Sequence, residues 1–101
     1  MNAFQFSGNI VYVNAKKSRI EFAEVRILND NCKKRTGLTI KAFNKSAKIL
    51  KDLCQKGDFV EVLGHIEGDG SEGNEVTYFA DSVFLGPKKQ IKEMDITSDN
   101  I

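Results

Sequence analysis

The chain has 101 residues, enough for one domain and too few for a second core. Hydrophobic residues make up 41% and charged residues 29%, which excludes a disordered chain at one extreme and a membrane-resident one at the other. The net charge of +1 gives by itself no reason to expect a polyanionic partner.

Residues Phe4 to Val13 are rich in aromatic and β-branched types and predict a first strand, with Gly8 marking a bulge or sharp coil. A polar, basic stretch from Asn14 to Ser18 follows. Ile20 to Leu28 then alternates, with Ala23, Val25 and Ile27 on an inner face and Glu24 and Arg26 on an outer one. Asn29 to Arg35 reads as a basic loop. From Leu38 to Phe43 the alternation resumes, placing Leu38, Ile40 and Ala42 inward and Thr39, Lys41 and Phe43 outward. Asn44 or Ser46 is placed to cap a helix running through Cys54, with Ala47, Leu50, Leu53 and Cys54 as its apolar stripe and Lys45, Lys48 and Lys51 in water. Gly57 is expected to stop it. Phe59 to Ile66 is a fourth strand, and the glycine-rich run Gly68 to Asn74 is expected to be a mobile loop. Glu75 to Leu85 is a fifth strand ended by Gly86-Pro87, and Lys88 to Ile101 a disordered tail. The expected organisation is therefore one domain over residues 1–87 and a flexible tail over 88–101. Three meandering strands, a helix and a closing hairpin describe an all-β, five-stranded OB-fold barrel.

Charge divides along this order. Residues 1–56 hold 12 basic and 4 acidic side chains, a net of +8, while residues 57–101 hold 3 and 10, a net of −7. A fold that gathers the first part on one surface would draw phosphates in spite of the neutral total. Two solvated faces that neutralise each other are the alternative.

No catalytic constellation stands out, and the reading is of a protein that is not an enzyme. The single histidine, His65, has Glu67 near it but no nucleophile or metal partner. It reads as a solvent-facing strand residue. Cys32 and Cys54 with His65 fall short of a four-ligand zinc site, no cofactor is implied, and a reducing cytoplasm is the expected compartment. Cys54 is expected to pack as a small hydrophobe. The opening stretch lacks the basic start of a signal peptide, and no run is long and apolar enough for a transmembrane span.

What rises above background is aromatic and basic residues interleaved on one side of the first three strands. Lys41 and Phe43 share a strand face, and Phe22 and Arg26 lie on the outer parity of the neighbouring strand, with Tyr12 a further candidate. Unpaired bases stack on rings while Lys and Arg neutralise the backbone, the physical scheme of single-strand binding. The bland reading makes Phe22 and Phe43 edge-of-core residues. Phe4, Phe6, Phe79 and Phe84 are assigned to core or subunit interface.

These residues also carry a family resemblance. Asn2 to Ile10 resembles the opening strand of bacterial-type single-stranded DNA-binding proteins. The segment Ile40 to Ala47, then Leu50 and Gln55 to Gly64 with its Lys-Gly-Asp block, is similar to that family's phenylalanine, helix and Val-x-Val-x-Gly segment, and Phe79 to Gly86 resembles its closing strand. The resemblance spans residues 2–86. It implies an OB fold, single-stranded DNA binding without catalysis, in replication, recombination or repair, and assembly into homodimers or homotetramers. Phe43 falls at a base-stacking position, preceded by Thr39 and Lys41. The family's third-strand tryptophan falls near Gly37, and this chain has no tryptophan, nor the family's long linker and acidic tip. Lys16, Lys17 and Arg19 in the first loop, with Arg26, Lys33, Lys34, Arg35 and Lys41, are the expected phosphate contacts. Single-stranded RNA is a second ligand the sequence leaves open, as are replication or recombination proteins as partners. The alternatives are a PriB-like primosomal accessory protein and an OB module for protein–protein contact through Phe59 and Leu63.

Overall fold

The computed structural model describes residues 1–16, 20–31 and 33–87. Its elements are β1 (Phe4–Lys16), β2 (Phe22–Asn29), β3 (Thr36–Phe43), α1 (Asn44–Leu53), β4 (Phe59–Glu67) and β5 (Thr77–Leu85). The five strands close into a barrel in the order β1-β2-β3-β5-β4, with the one helix between β3 and β4, which is the OB fold. All strand pairs are antiparallel except β3 with β5, which meet in parallel over two residue pairs. No helix among the described residues is long and apolar enough to cross a membrane.

The inner parities read from the sequence fill the barrel. Ala23, Val25, Ile27, Ile40, Ala42, Val60 and Val62 are fully buried, joined by Ile10 and Val83 and by Ala47 and Leu50 from α1. Small and branched side chains suit this space, since a closed five-stranded barrel leaves a narrow interior. The helix covers one end. Its Lys51 reaches Glu21 at 3.0 Å, an exposed ion pair of small energetic weight that fixes the helix beside the start of β2.

Several local expectations change. The bulge of β1 lies at Val11, between the pairs Ile10–Ile27 and Tyr12–Arg26, not at Gly8. Gly8 serves close approach instead: a Cβ there would strike the Leu28 carbonyl and come within 2.9 Å of Ile27 Cγ2. The helix has no side-chain cap. Phe43 is the N-cap in extended conformation, Asn44 takes φ +54°, and Ser46 Oγ turns to the Asp81 carbonyl at 3.4 Å. Asn44 is therefore placed by its tolerance of left-handed backbone, which turns the chain from strand to helix, rather than by capping. Its N–H bonds the Glu21 carbonyl at 3.0 Å. The helix ends at Leu53, which is 54% exposed rather than part of the apolar stripe, while Cys54 packs half-buried on the core. Gly57 does not stop the helix. With φ +95° it forms the turn into β4, where Asp58 closes the loop through Oδ2 to the Gln55 N–H at 3.1 Å and the turn pins to Ile10 by two backbone bonds of 2.8 Å. The Lys-Gly-Asp block is thus a structural clasp between helix and barrel.

The Gly68–Asn74 run, expected as a mobile loop, forms a hydrogen-bonded hairpin tip. Ser71 and Asn74 bridge, and Asp69 Oδ1 accepts from the Ser71 N–H at 2.9 Å and from its hydroxyl at 2.6 Å. The expected tail at 88–101 lies outside the described residues.

Candidate nucleic-acid interface

One outer face of β1, β2 and β3 is a lattice set by register. Tyr12, Arg26 and Thr39 form one row across the strands, Asn14, Glu24 and Lys41 the next, and Lys16, Phe22 and Phe43 the third. Cross-strand partners share a face, so the register alone brings ring and charge together. The Val11 bulge is what includes Tyr12. Ile10 points into the core, and the extra residue shifts parity so that Tyr12, two positions on, stands outside opposite Arg26.

Within the lattice the polar groups are ordered by one another. Arg26 Nη1 donates to Thr39 Oγ1 at 2.7 Å, and Tyr12 donates to Glu24 Oε2 at 3.3 Å. The guanidinium lies over Gly37, where a Cβ would come within 2.6 Å of Nη2. A flat guanidinium therefore occupies the space beside the position at which the resembling family carries an indole, and it offers a base a planar, charged surface.

The third row continues beyond β3. Phe22 and Phe43 have ring centroids 5.1 Å apart at 52°, Phe43 and Phe79 are stacked at 6.0 Å and 25°, and Phe79 and His65 are stacked at 5.5 Å and 16°. Four rings from β2, β3, β5 and β4 follow one another across the barrel, the first pair tilted and the other two pairs stacked. Phe43, 41% exposed, stands at the centre of the row. Where the row meets α1, an open groove of about 430 Å³ is lined by Phe43, Lys45, His65, Glu67, Phe79 and Asp81 among others.

The sequence assigns Phe79 to core or interface; the structure places it half-buried, outside the core cluster and in this row. Its strand, Thr77–Leu85, carries apolar residues on both parities, and its contact with β3 is set by a parallel pairing no local pattern encodes. Phe4 and Phe6 do pack on the core, Phe4 edge-on to Tyr78 at 5.4 Å and 85°.

His65 is fixed more firmly than a solvent-facing histidine. Its Nδ1 lies 3.1 Å from both Asp81 oxygens and its Nε2 2.9 Å from Glu67 Oε2. The bonds to Asp81, then Glu67, push the imidazole above its ordinary pKa. Asp81 occupies a bulge in β5, between the pairs Leu63–Ser82 and Gly64–Ala80, which explains how a residue next to the strand's inward side reaches the ring.

The remaining expected contacts are more scattered. Lys33 and Lys34 are exposed in the loop before β3, at the far end of the strands from the rings, and Arg35 there pairs with Asp30 at 2.8 Å. Lys16 sits in β1 opposite Phe22, while Lys17 and Arg19 lie outside the described residues. Among the described residues no group of three or more histidine, cysteine or carboxylate side chains is arranged to hold a metal ion.

Fold and face together define the class: an OB barrel whose open strand face carries a band of rings flanked by cations. The chain is similar in structure to the SSB domain of a Synechococcus sp. protein, at 16% identity and TM-score 0.67, covering 82% of this chain and 93% of that one. It is likewise similar to the second single-stranded DNA-binding protein of Mycobacterium smegmatis, at 22% identity and TM-score 0.70 with 83% and 87% covered. The mitochondrial single-stranded DNA-binding protein of S. cerevisiae aligns at 16% identity and TM-score 0.69, covering 83% and 92%. No family model matches the chain and no curated protein matches it in sequence. At these identities the likeness is one of fold.

Proposed function

We propose that this protein binds single-stranded nucleic acid, DNA in the first instance, and does so without catalysis. The observation that carries the reading is the continuous row Phe22–Phe43–Phe79 lying beside Lys41 and Arg26 on one strand face. Each base stacked on such a ring contributes about 1 to 3 kcal/mol and any base can do so, while the cations release counterions from the backbone. Duplex DNA keeps its bases paired and stacked, so the rings select for single strands. The solved neighbours of the same fold include proteins named for single-stranded DNA binding, which supports the same ligand.

In this reading Phe43 is the central platform, Phe22 and Phe79 extend it, and Arg26 adds a planar cation held by Thr39. Tyr12 borders the face. Lys41 holds phosphates near the rings, Lys16, Lys17 and Arg19 are further phosphate contacts, and Lys33, Lys34 and Arg35 guide the strand at the far end. Self-association is a separate part of the proposal. Phe59 and Leu63 on β4 and Phe84 on β5 are exposed on the barrel's other outer surface, and a second copy of the chain would cover them. Sedimentation analysis of the wild type and a Phe59→Ser, Leu63→Ser variant checks this: a monomer in both cases rejects it.

The test of binding is anisotropy titration of a labelled oligothymidine, with duplex DNA and single-stranded RNA of equal length as competitors. Tight, salt-sensitive binding that duplex competes for poorly is the expected result. No binding at low salt rejects the reading and leaves the barrel as a protein-contact module.

A further inference from the structure

The arrangement around His65 asks for more than a fourth ring. Both imidazole nitrogens face carboxylates, at 3.1 Å to Asp81 and 2.9 Å to Glu67. A neutral imidazole has one N–H and one lone pair, so it can donate to one of these groups only and must turn its lone pair on the other. The imidazolium alone satisfies both. Its near-parallel stack on Phe79 also favours the charged form, because a cation is attracted to a ring face.

The groups facing His65 are Glu67 from its own strand β4, Asp81 from β5 and Lys45 from α1 across the groove, with Lys41 on β3 beyond Phe79. With His65 protonated, the two carboxylates of the groove meet two cations and the groove is neutral. Loss of the proton leaves it with one net negative charge beside the ring row. A polyanion would then approach uncompensated carboxylates within a few ångströms of the ring row, an interaction that salt screens.

We propose that His65 is a proton-dependent contact of the nucleic-acid site: as the imidazolium it completes the ring row and neutralises Glu67 and Asp81, and on deprotonation the same carboxylates weaken the grip on the strand. This rests on the single-strand reading above. The hydrogen bonds to Asp81 and then Glu67 raise the imidazole pKa, so the change falls at higher pH than for an unpartnered histidine. Linkage requires reciprocity, so a bound strand must in turn hold the proton more tightly.

The chain has one histidine, so its ring gives a single set of NMR signals. These are followed against pH with and without oligothymidine, and affinity is measured over the same range, from about pH 6 to about pH 8.5. Expected are an upward move of the His65 midpoint when oligonucleotide is bound and a roughly three- to tenfold loss of affinity across the range. His65→Gln should flatten the profile. The Glu67→Gln, Asp81→Asn variant, which removes both hydrogen-bond acceptors and both negative charges of the groove, should move the affinity midpoint to lower pH and should bind at high pH more tightly than the wild type does there. Circular dichroism confirms that each variant is folded. Wild-type binding that is as flat with pH as His65→Gln, with a midpoint indifferent to oligonucleotide, overturns the inference while leaving single-strand binding intact. Failure to bind at any pH overturns the single-strand reading, and the inference falls with it.

Discussion

At the scale of the residue, Phe43 has the largest expected effect on binding because it touches a ring on either side. Phe43→Ala removes the middle of the row and leaves Phe22 and Phe79 apart. Anisotropy titration should show a loss of about 1 to 3 kcal/mol, with the salt dependence kept, since no phosphate contact is removed. Arg26→Lys makes the same separation at a cation. It keeps the charge and loses the planar fork that lies over Gly37 and donates to Thr39, so affinity should fall while the salt slope stays. Phe43, Lys41, Thr39 and Arg26 were legible in the sequence because each lies in a strand whose alternation is clean, and parity alone gave the face. Phe79 and the His65–Asp81 pair were not. Their placement depends on a parallel strand contact and on a bulge, and both are decided by tertiary closure rather than by local pattern.

At the scale of the element, the β4–β5 hairpin holds half of the ring row and depends on Gly64. A Cβ at that position would meet the Phe79 carbonyl and come within 2.7 Å of the Phe4 ring, and backbone cannot yield as a flexible side chain can. Gly64→Ala should therefore destabilise the protein by about 1 to 3 kcal/mol in urea unfolding, and it should weaken binding beyond that loss by displacing Phe79. Gly37→Ala gives the contrast. Its Cβ would meet only the tip of Arg26, so stability should hold while the Arg26–Thr39 bond is lost. The barrel itself was readable from three alternating strands, a helix and a closing hairpin. The helix start was readable to within a residue, but not how it is made, because Asn44 is used for its backbone rather than its side chain, and propensity rules assign such a residue to the cap.

At the scale of the whole molecule, two exposed groups set opposite pH limits. His65 has a raised pKa, so its contribution to stability is complete below the ordinary histidine value and is lost as pH rises through the folded one. Asp69 has a lowered pKa, chiefly from the Ser71 hydroxyl and N–H, so its contribution is complete above the ordinary carboxylate value and is lost as pH falls through the folded one. Thermal unfolding should thus be most favourable to the fold between about pH 4 and about pH 6.5. His65→Gln should remove the alkaline decline, and Asp69→Asn should reduce the acid one. The charge division belongs at this scale too. Replacing Arg26 and Lys41 together by alanine should make the log–log salt dependence of binding shallower by about 1.4, at roughly 0.7 per phosphate contact on a single strand, and an unchanged slope would place the strand on another surface.

The seam between β3 and β5 is the shortest in the barrel's closure, joined only at Ile40–Tyr78 and Lys41–Phe79, and the stack of Phe43 on Phe79 lies directly across it. Local opening of the closed sheet should begin there, where the fewest backbone bonds must break. A strand whose bases lie over both rings would act as a staple on that seam. Bound protein should accordingly exchange the β3 and β5 amide hydrogens with solvent more slowly than free protein, while the β1–β2 amides, already held along their whole length, should change little.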